Sequence, residues 1–529
     1  MRTDVVIVGA GAAGLLAAVA ARRLGHDVVV VERTATVGGA TAASDGHLWI
    51  PASDLMGRGG IPADTPDEAL AYLNALAAPA DATIAGRRAA FARTAAMVAR
   101  WLVSSRIGLE VVKGLPDCRP ETDGAKAQGR TLRAKAPAVR LDDEWAARLR
   151  TSGGERSSNG RRARSRRGLR RRRPVSAGAA LVSELLRRAV GSGVEIWLES
   201  PMTELLVADG AVTGVRVETD GASVDLHAER GVLLACGGFE ADADLRERYL
   251  PGPTSVDWSV GGGNDGAALR AGLQVDAALA ELDRAWWTPV LLADGAAHPV
   301  DRARCAPHSL IVDVAGDRYH NEAEPGVWAG ARMFEHNRGE RSVPSFLIMD
   351  KRHRKQYGLG PWAAGSSPKA AIEAGEVVRA TSLDELAEGL GVDRAGLLGS
   401  VVAFNQLVKR GRDTDFSRGE SAWDKYFGDP MLRRNPCLGA VDRQPFWGVR
   451  IYPGDAGTAG GPVIDDRSRV LRADGTPVPG LWACGGAAAT AFGGIQPGDG
   501  VALAAALVDA YRGVVDLSGQ LDRIDEALG

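Results

Sequence analysis

Three glycines in Gly9-Ala10-Gly11-Ala12-Ala13-Gly14 stand between an apolar run, Val5-Val6-Ile7-Val8, and an alanine-rich segment from Leu15 to Leu24. A short buried strand, a glycine turn and a helix in that order suit the binding of a pyrophosphate. Gly9 permits the tight turn and Gly11 lets backbone approach the phosphates. Gly14 lets the helix sit close on the sheet, and Ala13 keeps its first turn small. The helix N-terminus then offers free N–H donors to negative charge. A second apolar run, Val28 to Val31, ends in Glu32, 23 residues after Gly9. A carboxylate there accepts hydrogen bonds from ribose hydroxyls, so this βαβ unit is read as dinucleotide-binding.

The following residues point to a flavin. Gly38-Gly39-Ala40-Thr41-Ala42-Ala43-Ser44-Asp45-Gly46 is almost free of bulk. Such a chain can run along a flat ring with little side-chain obstruction. Gly38, Gly39, Ala40, Thr41, Ser44, Asp45 and Gly46 are therefore cofactor candidates. His47 follows directly. An imidazole beside the ring is a candidate acid or base near neutral pH; the alternative is a histidine packed under the adenine half. Near the other end, Gly480 to Ala483 reads as a strand running into Cys484-Gly485-Gly486. Gly498-Asp499-Gly500 then opens a helix at Val501. Gly485, Gly498, Gly500 and Val501 are expected where the chain returns to the cofactor, with the helix N-terminus facing the negative edge of a reduced ring. A middle echo, strand material from Met202 and then Gly231 to Ala235 running into Gly237, adds Met202, Ala235 and Gly237.

These segments sit in a chain of 529 residues, enough for two to four units. Hydrophobic residues make up 45% and charged residues 25%, the ordinary globular balance. A formal net charge of −2 gives no reason to expect nucleic acid or an anionic membrane. The five cysteines form no CxxC pair and are odd in number, which argues against a disulfide framework and a zinc site and fits a reducing cytoplasm. No metal site is expected. No apolar run reaches the ~18 residues of a membrane span, and the glycine-broken N-terminus is not read as a leader. Between Arg156 and Arg173 lie ten arginines without apolar periodicity. A solvated, mobile insertion near 151–174 is the main reading. Recruitment of an anionic carrier or substrate is the second. Aromatic interleaving is absent, which argues against RNA.

Taken together, VVIVGAGAAGLLAA, VGGATAASDGHLWIP, GVLLACGGFE, AWWTPV, NEAEP, RGESAWDKYFGDP, NPCLG, PFWGVRIYPGDAGTAGG and PGLWACGG resemble the fumarate reductase and 3-ketosteroid dehydrogenase flavoproteins. The 3-ketosteroid Δ1-dehydrogenase branch is the nearer likeness. The matching pieces run from the first strand to the last helix. The resemblance implies an α/β fold, a Rossmann-like FAD-binding domain with an inserted α+β capping domain. It implies FAD-binding parts at 1–280 and 441–529 and a substrate domain at 281–440. It implies noncovalent FAD, since no histidine precedes the small-residue loop near Gly39. Asp455, in Tyr452-Pro453-Gly454-Asp455, is expected in a turn leading back to the FAD part.

The family's Δ1-dehydrogenases place three tyrosines around the steroid A-ring, as proton abstractor and as donors to the ketone. Here Cys118 stands in Leu115-Pro116-Asp117-Cys118, Gly326 follows Asn321-Glu322-Ala323-Glu324-Pro325, and Gln496 precedes Pro497-Gly498-Asp499-Gly500. Cys118 is a pocket-lining residue or a titrating thiol. Gln496 can donate its amide to a carbonyl oxygen. Trp286, Trp287 and Trp328 suggest an aromatic-lined cavity for an apolar ring, or core packing. The expected activity is α,β-dehydrogenation of a cyclic ketone, with a quinone or dioxygen as acceptor. The alternatives are reduction of the corresponding enone and a redox-neutral isomerase or lyase.

Overall fold

The structure, a computed structural model, describes residues 1–77, 81–135, 141–150 and 176–528. The arginine run at 156–173 lies outside the described residues.

The dinucleotide half forms as the pattern of the chain dictates. β1 (Arg2–Val8) and β2 (Val28–Val31) pair in parallel, Val5 against Val28 through Val8 against Val31. Val28 to Val31 are all buried. A run of four valines has apolar side chains on both strand faces, which suits a parallel sheet covered on both sides. Between them α1 (Ala12–Arg23) buries Ala12 through Ala21. Its small side chains let it lie flat on the sheet and against the helix Val501–Leu517.

The sheet has eight strands. Its path runs Arg469–Leu471, Pro477–Ala483, Ala222–Leu234, β1, β2, Glu195–Trp197, with Ala211–Thr219 paired to Ala222–Leu234 and Met202–Ala208 paired to Ala211–Thr219. Residues far apart in sequence thus provide parallel neighbours: Ile7, Leu233 and Trp482 lie in one row. In an open parallel sheet, loops at the carboxyl ends of such strands form the ligand crevice.

A second sheet of six strands runs Ala296–Pro299, Ala285–Ala293, Phe446–Thr458, Ser345–Met349, Ser309–Val312, with Val377–Ala380 also on Phe446–Thr458. With its helices it forms the inserted α+β part. Asp455 is not in a turn but inside this long strand, opposite Trp287. The correction has a physical cause: the carboxylate is fully buried and accepts from the buried Arg246 at 2.7 Å and from Ser259 Oγ at 2.8 Å. A side chain paired that way can stay in a covered strand.

A small sheet joins β3 (His47–Trp49), β4 (Leu109–Val111) and β5 (Thr131–Ala134), with β5 central. It carries His47 and Trp49 beneath the loop before Val501. Among the described residues no helix is long and apolar enough to cross a membrane, and no group of His, Cys, Asp and Glu could hold a metal ion.

Candidate active site

The phosphate turn is defined by what a side chain would meet. At Gly9 (φ +108°) a Cβ would lie 2.6 Å from the Ala235 carbonyl oxygen. At Gly14 it would lie 2.0 Å from the Gly9 carbonyl oxygen. At Gly11 it would meet nothing within 4 Å. The first and third glycines are closed by the fold and the middle one borders open space, where a pyrophosphate could lie against the backbone. Ala13 is buried one residue before Gly14. Glu32 turns back to the same loop: Ala10 N donates to its Oε2 at 2.9 Å, and Thr34 N and Oγ1 donate to its Oε1.

The small-residue segment lies against this turn. Gly38 (φ +124°) donates to the Ala10 carbonyl at 3.0 Å, and Gly11 and Gly38 form an isolated bridge. α2 (Gly39–Ala43) follows. A Cβ on Gly262 would lie 2.9 Å from Ala40 N. Thr41 accepts from Ser44 Oγ; Ser44 and Asp45 are exposed. Gly46 (φ +62°) touches Gly178 backbone and admits no side chain. From the sheet's middle, Ala235 donates to the Val8 carbonyl at 2.8 Å, and Gly237 (φ +78°) lies under the Asn264 amide. Met202 packs against the apolar cluster on the hairpin side of the sheet.

The C-terminal return arrives at the same crevice. Gly486 sits against Gly237 and Gly238, and Gly485 (φ +58°) against Ala506. Gly498 lies under the Trp49 ring, where a Cβ would be 1.9 Å from Cδ1. Gly500 (φ +88°) lies on His47 backbone and begins the helix Val501–Leu517 with no side-chain cap. An uncapped N-terminus at a crevice leaves donors for a ligand. The glycine contacts therefore fit the flavin and diphosphate that the sequence implies.

His47 is on a strand rather than in a loop. Its Nδ1 is 2.7 Å from Asp499 Oδ2. Burial works to lower its pKa, but the hydrogen bond and charge of Asp499 outweigh this and raise it. The stability from the pair is thus fully present below the ordinary value of 6.5 and is lost as pH rises through the higher folded value. Scanning calorimetry at about pH 5.5 and about pH 9 checks this: an Asp499→Asn variant loses its thermal deficit relative to wild type at the higher pH. His47 is placed to fix the loop before Val501.

Cys118 is buried, its N–H donating to the Pro497 carbonyl at 2.9 Å. Burial pushes its thiol well above the ordinary range. A thiol held neutral is no base near pH 7; Cys118 packs with Leu115, Trp328 and Trp423. Cys118→Ala is expected to cost about 1–2 kcal/mol of stability by loss of packing. The rate of flavin reduction by a ketone, measured in the same variant, stays near wild type.

Of the three positions expected to carry tyrosines, 118 meets the residue after 496, while Gly326 faces Trp287 and Thr288. Cys118 reaches Pro497, next to the half-buried Gln496. Arg119 lies over the Trp328 ring, 4.3 Å from its centroid, and Trp328 stands in the helix that begins at Gly326. The tryptophans divide. Trp287 is buried against Phe334 and Gly330, Trp286 is half-buried between two apolar clusters, and Trp328 faces Arg119.

Sequence reasoning missed the group that holds this wall. Arg130 donates to Asp64 and to Asp117, each at 2.7 Å, with all three buried. Trp49 Nε1 donates to Asp117 at 2.8 Å. Burial raises Asp117 to about 6, against the pull of Arg130. Tyr72 Oη donates to the Pro497 carbonyl and accepts from Arg119 N. Only Asp117, next to Cys118, carried a local signal.

The model of the FAD binding domain family matches residues 4–503. The 3-oxosteroid 1-dehydrogenase of Mycobacterium tuberculosis is 34% identical over 557 residues, covering 98% of each chain. The 4-oxocyclohex-2-ene-1-carboxylate 5-dehydrogenase of Sinomonas cyclohexanicum is 33% identical, covering 97% of this chain and 93% of its own. The crystal structure of 3-ketosteroid Δ1-dehydrogenase from Sterolibacterium denitrificans in complex with 1,4-androstadiene-3,17-dione superposes with a TM-score of 0.90 at 32% identity, covering 98% of this chain and 99% of that one. This chain belongs to the FAD-binding flavoprotein family and, within it, to the 3-ketosteroid dehydrogenase group: it is an FAD-dependent oxidoreductase.

Proposed function

We propose that the enzyme dehydrogenates a ring ketone across its α and β carbons. FAD, when bound, supplies the acceptor for the hydride leaving the β carbon, at its N5. The observation that carries the reading is the contact of Cys118 with Pro497, beside Gln496, in the loop that leads through Gly498 and Gly500 into the helix at Val501.

In this reading the FAD-holding part is 1–280 with the residues after Thr458, and the cap runs from 281 through its central strand Phe446–Thr458, past the boundary at 440 expected from the sequence. Gly9, Gly11 and Gly14 receive the pyrophosphate and Glu32 turns to the ribose. Residues from Gly38 to Gly46 run along the ring without a covalent bond, since glycines stand where a linking histidine would. The N-terminus at Val501 steadies the negative edge of the ring, and Asp499 with His47 fixes the loop that presents it. Gln496 donates its amide to the ketone oxygen, which makes the α hydrogen more acidic.

The absence of phenols at 118, 326 and 496 favours a substrate other than a four-ring steroid. Arg119 places a cation over Trp328, which suits a smaller ring bearing a carboxylate, the kind of compound the Sinomonas relative is named for. Turnover with an artificial electron acceptor, followed by product identification, tests the reading on a saturated 3-oxosteroid and on 4-oxocyclohexanecarboxylate. A new C=C bond next to the carbonyl in either product supports dehydrogenation, and its presence only in the carboxylate supports the smaller ring. Isomerised product without acceptor consumption contradicts the proposal.

A further inference from the structure

The chain from Ala489 to Pro497 carries Gln496 and has no helix or strand of its own. One end is anchored at Pro497, whose carbonyl oxygen accepts from Cys118 N and from Tyr72 Oη, both at 2.9 Å. The other end meets two neighbouring arginines of the helix Ala82–Ser104. Arg87 Nη1 donates to the Ala489 carbonyl at 2.6 Å, and Arg88 Nε donates to the Ala491 carbonyl at 2.9 Å. Both arginines are buried. Arg87 is also 3.5 Å from Asp509, in the helix that begins at Val501. Arg88 forms no ion pair among the described residues; Glu281 and Asp81 act on it through space. Burying a guanidinium without a paired carboxylate costs stability. The bond to Ala491 is the interaction that holds it there.

Packing does not fix this stretch by itself. A cavity of about 40 Å³ borders it, lined by Thr490, Ala491 and Phe492 together with Arg87, Gly485 and Asp509. A void leaves its lining without contacts on that side, so the carbonyl bonds rather than close packing set the course of the backbone. Beyond Phe492 the chain turns, Ile495 N donating to the Phe492 carbonyl at 3.1 Å across Gly493 (φ +59°) and Gly494 (φ +76°). Two glycines give such a turn little stiffness of its own. Gln496 comes directly after it. The bond at Pro497 fixes where Gln496 sits, and the course of the chain from Ala489 onward sets where its amide points. Phe91, one turn after Arg87 and Arg88, meets Phe492 edge-on at 5.4 Å and stacks on Trp49 at 5.9 Å. Trp49 in turn covers Gly498. One stretch of helix, Arg87 to Phe91, thus supports the loop along its length.

We infer that Arg88, with Arg87 beside it, is a positioning residue: its Nε fixes the backbone at Ala491 so that the Gln496 amide points at the ketone oxygen. The inference rests on the reading of Gln496 as the donor that polarises the ketone. Arg88 does not touch the substrate and acts through the loop.

Glutamine carries its Nε2 where arginine has Nε, and methionine carries a methyl group there. Arg88→Gln therefore keeps a donor for the Ala491 carbonyl, Arg88→Met does not, and both remove the charge. In the purified holoenzyme Arg88→Met is expected to slow flavin reduction by the ketone about 100-fold, the scale for a displaced reacting group, and Arg88→Gln to recover it to within about tenfold of wild type. The C=O stretch of the bound product enone, read by Raman difference spectroscopy, moves to higher wavenumber in Arg88→Met and returns in Arg88→Gln. An arginine that only stabilises the fold leaves this stretch where it was in protein with full flavin content. If Arg88→Met loses its flavin, Arg88→Lys takes its place, since it keeps the charge and has a carbon at the Nε position. Gln496→Leu closes the cycle: it slows reduction about 100-fold, and adding Arg88→Met then costs less than about threefold more. An Arg88→Met rate within about threefold of wild type, an Arg88→Gln rate no better than Arg88→Met, or additive losses in the double variant overturn the inference. A Gln496→Leu enzyme with the wild-type rate and stretch removes the donor reading, and the inference with it. The stretch needs no turnover. A wild type that no ketone bleaches loses the dehydrogenation reading, and the shift in Arg88→Met still decides the role of Arg88.

Discussion

Gly14→Ala is expected to purify without its yellow colour. The added Cβ would stand 2.0 Å from the Gly9 carbonyl oxygen and 3.3 Å from Ile7 Cγ2. The first contact is with backbone of the phosphate turn itself, so no side-chain rotation relieves it. Either α1 lifts from β1 or the Gly9 peptide turns away. The first breaks the packing of a helix buried from Ala12 to Ala21, and the second destroys the turn that faces the pyrophosphate. A loss of about 3 kcal/mol in stability is the scale for overpacking. FAD affinity should fall about 100-fold, equivalent to ~2.7 kcal/mol. The flavin-to-protein absorbance ratio after gel filtration reads it. Gly25→Ala is the matched control. It has φ +90° but nothing within 4 Å, so it carries only the left-handed backbone cost of about 1 kcal/mol and keeps its flavin. A Gly14→Ala protein with a full complement of FAD contradicts the assignment of the turn.

Arg130→Met is expected to be the most destabilising change in the substrate wall. Arg130 is 1% exposed at its side chain and serves Asp64 and Asp117, exposed by 0% and 2%. Breaking a buried pair leaves uncompensated charge and costs ~3–5 kcal/mol. Asp117 already sits at about 6 because of burial, with Arg130 pulling it down. Without the guanidinium it rises further. A carboxyl whose folded pKa is raised lends its stability at low pH and loses it as pH rises through that value. The variant is therefore expected to be least deficient near about pH 4–5 and to lose stability toward neutrality. Denaturant midpoints across that range check the direction. A uniform deficit at every pH contradicts a charge-based cause. Trp49 depends on Asp117 and covers Gly498, so flavin fluorescence should change in the same variant.

What could be read from the sequence is what backbone sterics enforce locally. Gly9, Gly14, Gly498 and Gly500 announce themselves because no other residue fits the contacts made there, and four valines in a row cannot face water on either side. The second sheet had no such signal. Its long strand, Phe446–Thr458, meets Ala285–Ala293, Ser345–Met349 and Val377–Ala380, and pairing across 66 to 173 residues leaves no local periodicity. Asp455 misled because Tyr-Pro-Gly-Asp is turn chemistry unless a partner such as the buried Arg246 overrides it. Asp64, Asp117 and Arg130 were hidden for the same reason, since charged residues apart in sequence look solvated until a fold buries them together.

Hydrogen loss from a ring ketone to this flavin, as proposed, leaves a spectroscopic trace. The most direct measurement is anaerobic mixing of the holoenzyme with a saturated cyclic ketone, steroid or carboxylated cyclohexanone, while the oxidised flavin band is followed. Bleaching in a single turnover, with one equivalent of α,β-unsaturated ketone formed per flavin, is the expected result. An unbleached band in protein shown to contain FAD and to bind the ketone would contradict it.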